Sequence, residues 1–507
     1  MRTALAFALF TAPLLAQAPT LSHTGGALPG NTTWSVEAPA AAGNLYGIIV
    51  STTEVSSEVL PGVFVDVGLA NLPLTFSLPG FFGTLDANGK ASATVALADP
   101  SMIGMTISSQ ALVGPLFDTP SNLDRTTPAM PGTFMTTLHD PILPIAGGAA
   151  AKDANGNLVF AGGSGPVAQR YLAGLEDFED AGFSFGVGLL GASTALDDGR
   201  VLFTGGLDLS GNPTTAAAVW DPVAGTTTTV AMGTARAGHA ATLMSDGRVM
   251  ITGGFESVTI DLAAILADPL QLLSIFSGLV GTTEFFDPTA LTFSAGPTML
   301  EPRALHTATA IPGGKVLVAG GLTLLPIVNI PTVSSTAYVY DPLLGIFGFP
   351  ILFNGPRLAH SAILQNDGSV LLVGGLSIDL TDFILTGDIT KLTVGSRDDI
   401  LRYKSSFFGG GFSTAGTMSE SRAGAGLGLM SNGDVLIAGG FRLALSADLT
   451  ALDLGIADSA DRYKQGSGVT GTGSLGTARI MPLVENLDDG TLLIVGGGAL
   501  DAEVYQP

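Results

Sequence analysis

A Gly-Gly pair closes a short apolar run seven times along this chain, at Gly162, Gly205, Gly253, Gly320, Gly374, Gly439 and Gly496. Self-similarity at intervals of about 43 to 67 residues marks units that cannot bury their own faces and must stack on one another, at a spacing suited to four strands and loops of variable length. Most copies open with a turn and an alternating strand: Asn-Gly-Asn-Leu-Val-Phe-Ala-Gly-Gly from Asn155, Asp-Gly-Arg-Val-Leu-Phe-Thr-Gly-Gly from Asp198, Asp-Gly-Arg-Val-Met-Ile-Thr-Gly-Gly from Asp246. Asn-Gly or Asp-Gly between two apolar runs predicts a tight hairpin of type I′, whose central residues both need positive φ. The paired glycines predict a bend, or a neighbouring strand too close for a side chain. An aromatic follows each pair in a short strand, at Tyr171, Trp220, Phe286, Tyr340, Tyr403, Tyr463 and Tyr505. Asp221, Asp287 and Asp341, each followed by proline, run three of these strands into a turn. A further strand and an arginine complete several copies, as in Phe293 to Arg303 and Phe412 to Arg422.

The composition agrees with such an array. At 507 residues the chain exceeds what one hydrophobic core supports, and its 69 glycines and 29 prolines, with 12% charged and 46% hydrophobic residues, describe short strands and tight turns. Residues 1–18 read as a cleaved secretory signal: Arg2, an apolar run from Ala4 to Leu15, and small residues at Ala16 and Ala18, with the cut after 16 or 18. An uncleaved anchor is the alternative. Every later apolar stretch is interrupted by Asp, Pro or Gly before it reaches the length of a bilayer span. The absence of cysteine removes disulfides, thiolate metal sites and cysteine nucleophiles. A net charge of -23 repels phosphate backbones and anionic lipid, so nucleic acid is not an expected partner.

On these turns, Gly-Gly strands and aromatic strands, residues 131–507 resemble the kelch-repeat family of β-propellers, which includes galactose oxidase. The resemblance implies an all-β fold: a seven-bladed kelch-type β-propeller preceded by a small β-sandwich domain. The first two repeats lack the arginine, and the tryptophan usual in the outer strand is here mostly Phe or Thr. The copper site of galactose oxidase needs a tyrosine crosslinked to cysteine, which this chain cannot supply. The chain ends at Pro507 directly after the seventh aromatic strand, so the last blade lacks its outer strand. The segment Gly132-Thr-Phe-Met-Thr-Thr-Leu138 reads as that strand, pairing the two ends of the propeller and removing an exposed edge. Alternating runs such as Leu45 to Ser51 and Ala91 to Leu97 predict the sandwich over 19–115, and 116–130 reads as a linker. His23, near the mature terminus, reads as solvated.

Candidate functional residues fall on the links between blades. Arg236, Arg303, Arg357, Arg422 and Arg479 recur there, with His239, His306 and His360 three residues after the first three. A ring of guanidinium groups around a central funnel is a candidate carboxylate-binding face; the alternative role of Arg and His in the kelch family is to bond neighbouring blades. Three histidines around one axis suit zinc or copper by chemistry, but equivalent positions on different blades hold them apart, so no metal site is expected.

The loops after Gly-Gly are unusually apolar in four repeats, Phe255 to Val280, Leu322 to Val333, Leu376 to Val394 and Phe441 to Ile456. In three of them an Asp, at 261, 379 or 448, reads as the cap of a short helix. Such loops either pack on one another or expose an interaction patch. Calcium is the cofactor that the scattered acids Asp261, Asp268, Asp379, Asp382, Asp388, Asp398 and Asp399 weakly suggest. No spacing matches a calcium loop, so no cofactor is expected. There is no Gly-x-Ser-x-Gly elbow, His-Glu-x-x-His or phosphate-binding loop.

The expectation is therefore a secreted, periplasmic or cell-envelope protein of bacterial type, non-enzymatic, presenting a propeller face to a protein or glycan ligand. The alternative is a polysaccharide hydrolase or lyase with paired carboxylates in the funnel.

Overall fold

The computed structural model describes residues 18–507 except 62, 71, 118, 138, 143–148, 153–156, 162–166, 185–188, 209, 258–277, 325–330, 380, 387, 407–409 and 450. The signal segment, the Asn155-Gly156 turn, the Gly162 pair, Leu138 and the acids Asp261 and Asp268 lie outside the described residues or at their edge. The chain divides into two compact units, Met1–Met130 and Pro131–Pro507.

In the first unit a three-stranded sheet (Thr20–Thr24, Gly30–Glu37, Lys90–Leu97) and a four-stranded sheet (Phe82–Thr84, Leu45–Ser51, Ile107–Val113, Thr119–Thr126) share one core around Trp34, Val36, Tyr46, Ile48, Phe81 and Ala111. The segment expected as a linker, 116–130, contains the last of these strands, Thr119–Thr126. It reads as a linker because the side chains that this strand buries are polar: Ser121, Asp124 and Thr126. His23 is accordingly not solvated. Its Nδ1 lies 2.9 Å from Asp124 Oδ2 with both side chains buried, a pairing across the sheets that offsets the cost of burying either group.

Among the described residues the second unit is all-β apart from short helical turns. Among its described residues are seven antiparallel sheets of four or five strands, whose innermost strands begin at Ala149, Ala192, Ala240, Thr307, Ser361, Gly426 and Leu483. Each runs in meander order from first strand to last, and in the fourth the outermost strand is split into Ile346–Phe347 and Ile351–Leu352. The seventh takes its outermost strand, Thr133–Thr136, from the other end of the unit; Phe134 faces Tyr505 across an antiparallel register, with the rings 4.9 Å apart. The first strands of neighbouring sheets touch in cyclic order, and Leu483–Asn486 returns to Ala149–Lys152. Between sheets lie separate apolar layers, for example Leu202, Val219, Val249 and Phe286 between the second and third.

The Asp-Gly and Asn-Gly turns closed by Gly199, Gly247, Gly368, Gly433 and Gly490 are not of type I′, since in each only the glycine has positive φ. In Leu196–Arg200 the Gly199 N–H donates to Leu196 O and the Leu196 N–H to Arg200 O, and only Gly199 has positive φ. This is a three-residue loop, a type I turn closed by a left-handed glycine. Asp198 Oδ1 accepts from the Arg200 N–H at 3.1 Å, so the aspartate stabilises the turn through its side chain rather than by adopting positive φ. The apolar loops after Gly-Gly form no capped helix at Asp448. They are two-stranded hairpins, Leu322–Leu324 with Pro331–Val333, Leu376–Asp379 with Thr393–Ser396, and Phe441–Leu445 with Leu452–Ile456. The second carries a short helix, Thr381–Thr386, beyond Asp379.

Candidate functional site

The Gly-Gly pairs and the link arginines are two halves of one joint. Gly253 and Gly254 have φ of +59° and +107°, and a Cβ on Gly253 would run into the carbonyl oxygen of Arg303 and lie 2.8 Å from His306 Cε1. The Gly254 N–H donates to that same Arg303 carbonyl at 2.7 Å. The joint recurs as Gly206 to Arg236, Gly321 to Arg357, Gly375 to Arg422 and Gly440 to Arg479. Each guanidinium then reaches forward into the sheet that follows it: Nη1 of Arg236, Arg303, Arg357, Arg422 and Arg479 donates to the carbonyl of Gly253, Gly320, Gly374, Gly439 and Gly496. One arginine, on the link between two sheets, thus ties the Gly-Gly bend of the sheet before it to that of the sheet after it.

All five guanidiniums are fully buried, so the structure does not offer them as an open carboxylate-binding ring. Each already holds an internal carboxylate: Arg236 with Glu284, Arg303 with Glu301, Arg357 with Asp399, Arg422 with Asp461, and Arg479 with Asp501 and Glu503. Burial alone disfavours the cationic form of Arg236, Arg303, Arg357 and Arg422, and the adjoining carboxylates oppose that effect. Arg303 also stacks on Tyr338, 4.9 Å from the ring centre. Sequence reasoning missed these partners. The available signal was an acid two residues before the aromatic, as in Glu284-Phe-Phe286, Asp461-Arg-Tyr463 and Glu503-Val-Tyr505; Tyr338 stands there before Tyr340, and the acid in the Tyr403 strand is Asp399.

Two residues beyond each arginine the chain turns left-handed, at Gly238, Leu305, Ala359, Gly424 and Met481, and Leu190 does the same before the second sheet. The N–H of Gly238 donates to Leu190 O, that of Leu305 to Gly238 O, of Ala359 to Leu305 O, and of Gly424 to Ala359 O, all at 2.8 to 2.9 Å. Peptide groups therefore link five successive sheets directly. The positive φ of Leu305 and Ala359, costly for side-chain-bearing residues, is the geometry that this run of bonds requires.

His239, His306 and His360 follow these residues and line one cavity of about 280 Å³ together with Ser361 and small or apolar residues. Each imidazole bridges to the preceding sheet: Nε2 lies 2.8 Å from Thr204 Oγ1, 2.8 Å from Thr252 Oγ1 and 2.9 Å from Thr307 Oγ1, respectively. The Nδ1 atoms are buried without a partner. An unpaired lone pair is cheaper to bury than an unpaired N–H, so the tautomer with Nε2–H donating to threonine is favoured. Burial first, and the neighbouring arginines second, push His239 and His306 down to about 3 and His360 well below its ordinary value. The rings are therefore neutral at physiological pH. Among the described residues no three His, Asp or Glu side chains gather to hold a metal ion, and no carboxylate lines the cavity. Two of the loop acids are used within the protein: Asp388 accepts from Thr390 and Asp399 from Arg357 and Arg397.

Around the cavity, the hairpins after Gly-Gly merge into one apolar layer: Phe255, Leu322, Val333, Leu376, Leu443 and Leu452 belong to a single buried cluster. Leu454 and Ile456 emerge from this layer into solvent.

Fold and site together define an all-β protein whose second unit is a cyclic array of repeated sheets joined by Gly-Gly–arginine contacts. Compared with solved structures, the chain is similar to YjhT, with 17% identity and a TM-score of 0.47 over 66% of this chain and 99% of that chain. It is also similar to a fungal alcohol oxidase of the AA5 family in complex with copper, with 14% identity and a TM-score of 0.37 over 63% of this chain and 74% of that one. No family model matches the chain, and no curated protein matches it. Among the described residues no helix is long and apolar enough to cross a membrane.

Proposed function

We propose that this chain is an exported binding protein, built as a seven-bladed kelch-type β-propeller behind a small β-sandwich domain, which presents its loop-bearing face to a protein or glycan ligand in the periplasm, cell envelope or exterior. The observation that carries this reading is the fused layer of hairpins on that face. Independent loops lose conformational freedom when they bind, whereas hairpins sharing a buried cluster of Leu322, Leu376, Leu443 and Leu452 have already lost it. Beneath the layer, the arginines and histidines are spent on holding blades together. The seven sheets in cyclic contact and the strand Thr133–Thr136 pairing with Ala502–Gln506 support the propeller, and the shared core of the first unit supports the sandwich. A hydrolase or lyase in the funnel needs two carboxylates facing substrate, and the cavity lined by the histidines has none.

The test compares the mature chain with a Leu454→Asp, Ile456→Asp variant and a Val223→Asp control on a turn at the opposite face, using a glycan array and a panel of purified envelope proteins. Binding by the parent and the control, lost in the hairpin variant, supports the reading. Binding equal in all three, or polysaccharide cleavage by the parent, contradicts it.

A further inference from the structure

The outermost strand of the fourth sheet differs in chemistry from the others. Elsewhere this strand is polar or small-residue rich: Thr226–Arg236 reads TTTTVAMGTAR, Gly411–Thr417 GFSTAGT and Gly468–Gly471 GVTG. In the fourth sheet the two pieces Ile346–Phe347 and Ile351–Leu352 are joined through Gly348-Phe349-Pro350, and the stretch from Pro342 to Pro356 contains no charged residue. Phe347 and Phe353 anchor it inward, on Tyr340 at 5.5 Å and on Phe412 at 5.1 Å. The side chains left in solvent are Leu343 at 91% exposure, Leu344 at 70%, Ile346 at 54%, Phe349 at 93% and Leu352 at 74%. Single exposed apolar residues are ordinary. Five within ten residues are not.

With 150–250 Å² for a whole aromatic side chain and somewhat less for leucine, these five expose roughly 700 Å², above the ~300–600 Å² of the largest apolar patch on a typical monomer. That area is close to the ~800 Å² each partner contributes to an interface of standard size. We propose that this edge is the contact surface of a two-fold symmetric homodimer. A chain of net charge -23 repels its own copy except across a surface without charge, and this stretch is one. A foreign partner selected by charge finds nothing here to read, whereas homodimer interfaces are the most apolar class. Pro350 has no N–H to extend a ladder, so the contact is made by side chains, each meeting its symmetry counterpart's surroundings as an isologous interface requires.

The experiment is sedimentation of the mature full chain across a wide concentration range, beside Phe349→Glu and Leu343→Glu variants. The expected result is a monomer–dimer equilibrium in the parent and dimerisation weaker by at least ~100-fold in Phe349→Glu, with the unfolding midpoint unchanged at concentrations where the parent is monomeric, because the side chain is exposed there. The chain has no cysteine, so single cysteines at 343, 346, 349 and 352 report proximity without background. At least one crosslinks to its own copy, and Val223→Cys, equally exposed on another sheet, does not. A parent that stays monomeric throughout, a dimer that persists in the Glu variants, or crosslinking no greater than at 223 overturns the proposal.

Discussion

The guanidinium of Arg303 donates to the carbonyl oxygen of Gly320 at 2.6 Å, across a sequence separation of 17. The same separation joins Arg236 to Gly253, Arg357 to Gly374, Arg422 to Gly439 and Arg479 to Gly496. A spacing that constant, in repeats of otherwise variable length, marks the segment from link to Gly-Gly bend as the invariant part of each unit and leaves the length variation to the hairpin beyond it.

Arg422 and Asp461 test this joint, since both side chains are fully buried. Arg422→Met strands the carboxylate, and Asp461→Leu strands the guanidinium; each single change is predicted to cost ~3–5 kcal/mol. The double change removes both charges and is predicted to recover part of that loss. Denaturant unfolding of all four proteins gives the coupling directly; additive losses contradict the account.

The glycine pairs give a sharper contrast. Gly253→Ala introduces a Cβ against the Arg303 carbonyl at positive φ, whereas Gly225, at φ +62°, has nothing within 4 Å of its Cβ position. Gly225→Ala is predicted to cost only the backbone strain, ~1 kcal/mol, and Gly253→Ala at least ~2 kcal/mol more, because the strand itself must shift. Thermal unfolding compares the two.

Acid stability is predicted to follow the bridging histidines. His239 and His306 have folded values near 3, below the ordinary value near 6.5 that the unfolded chain retains. As pH falls below about 6.5 the unfolded state takes up protons that the folded state refuses, so stability declines between about 6.5 and 3. Replacing His239, His306 and His360 by Gln is predicted to flatten that slope while lowering stability at neutral pH. A parent whose stability is flat from pH 7 to 4 contradicts the burial of neutral rings.

Glu485, on the innermost strand Leu483–Asn486, has the opposite sign. Burial pushes its carboxyl up to about 7, with Lys152 partly offsetting it. Its folded value lies above the unfolded one, so its contribution is fully present below about 4.5 and is lost as pH rises toward 7. Glu485→Gln is predicted to raise stability at pH 8 and to leave it unchanged at pH 4, read from unfolding midpoints at the two values.

Much of this architecture is legible in the sequence because it rests on local turn chemistry. Asp-Gly turns, Gly-Gly bends and an aromatic strand recur at fixed offsets, and Phe134 is recognisable as part of an orphan outer strand. The direction of the arginines is not legible in the same way. Arg236 is neutralised by Glu284, with a sequence separation of 48, and nothing adjacent to the arginine announces it, so guanidiniums that read as a funnel lining turn out to be interior. His23 and Asp124 form the same kind of pair at a separation of 101, which is why a strand of buried polar residues reads as a linker. Turn type was also hidden: Asp198 contributes through its side-chain oxygen, and the Asp-Gly dipeptide alone does not separate that from a type I′ turn.

Closure of the sheet array is the central claim, and a disulfide across the joining strands tests it most directly. Met135 and Val504 face one another in the register that unites the two ends of the second unit. In a chain without cysteine, Met135→Cys with Val504→Cys is predicted to form one intramolecular disulfide on mild oxidation. Because it closes a loop of nearly the whole unit, it is also predicted to stabilise by ~4 kcal/mol or more in the chain-entropy account. Free thiols under the same oxidation, or crosslinks only between molecules, would contradict a ring closed by these two strands.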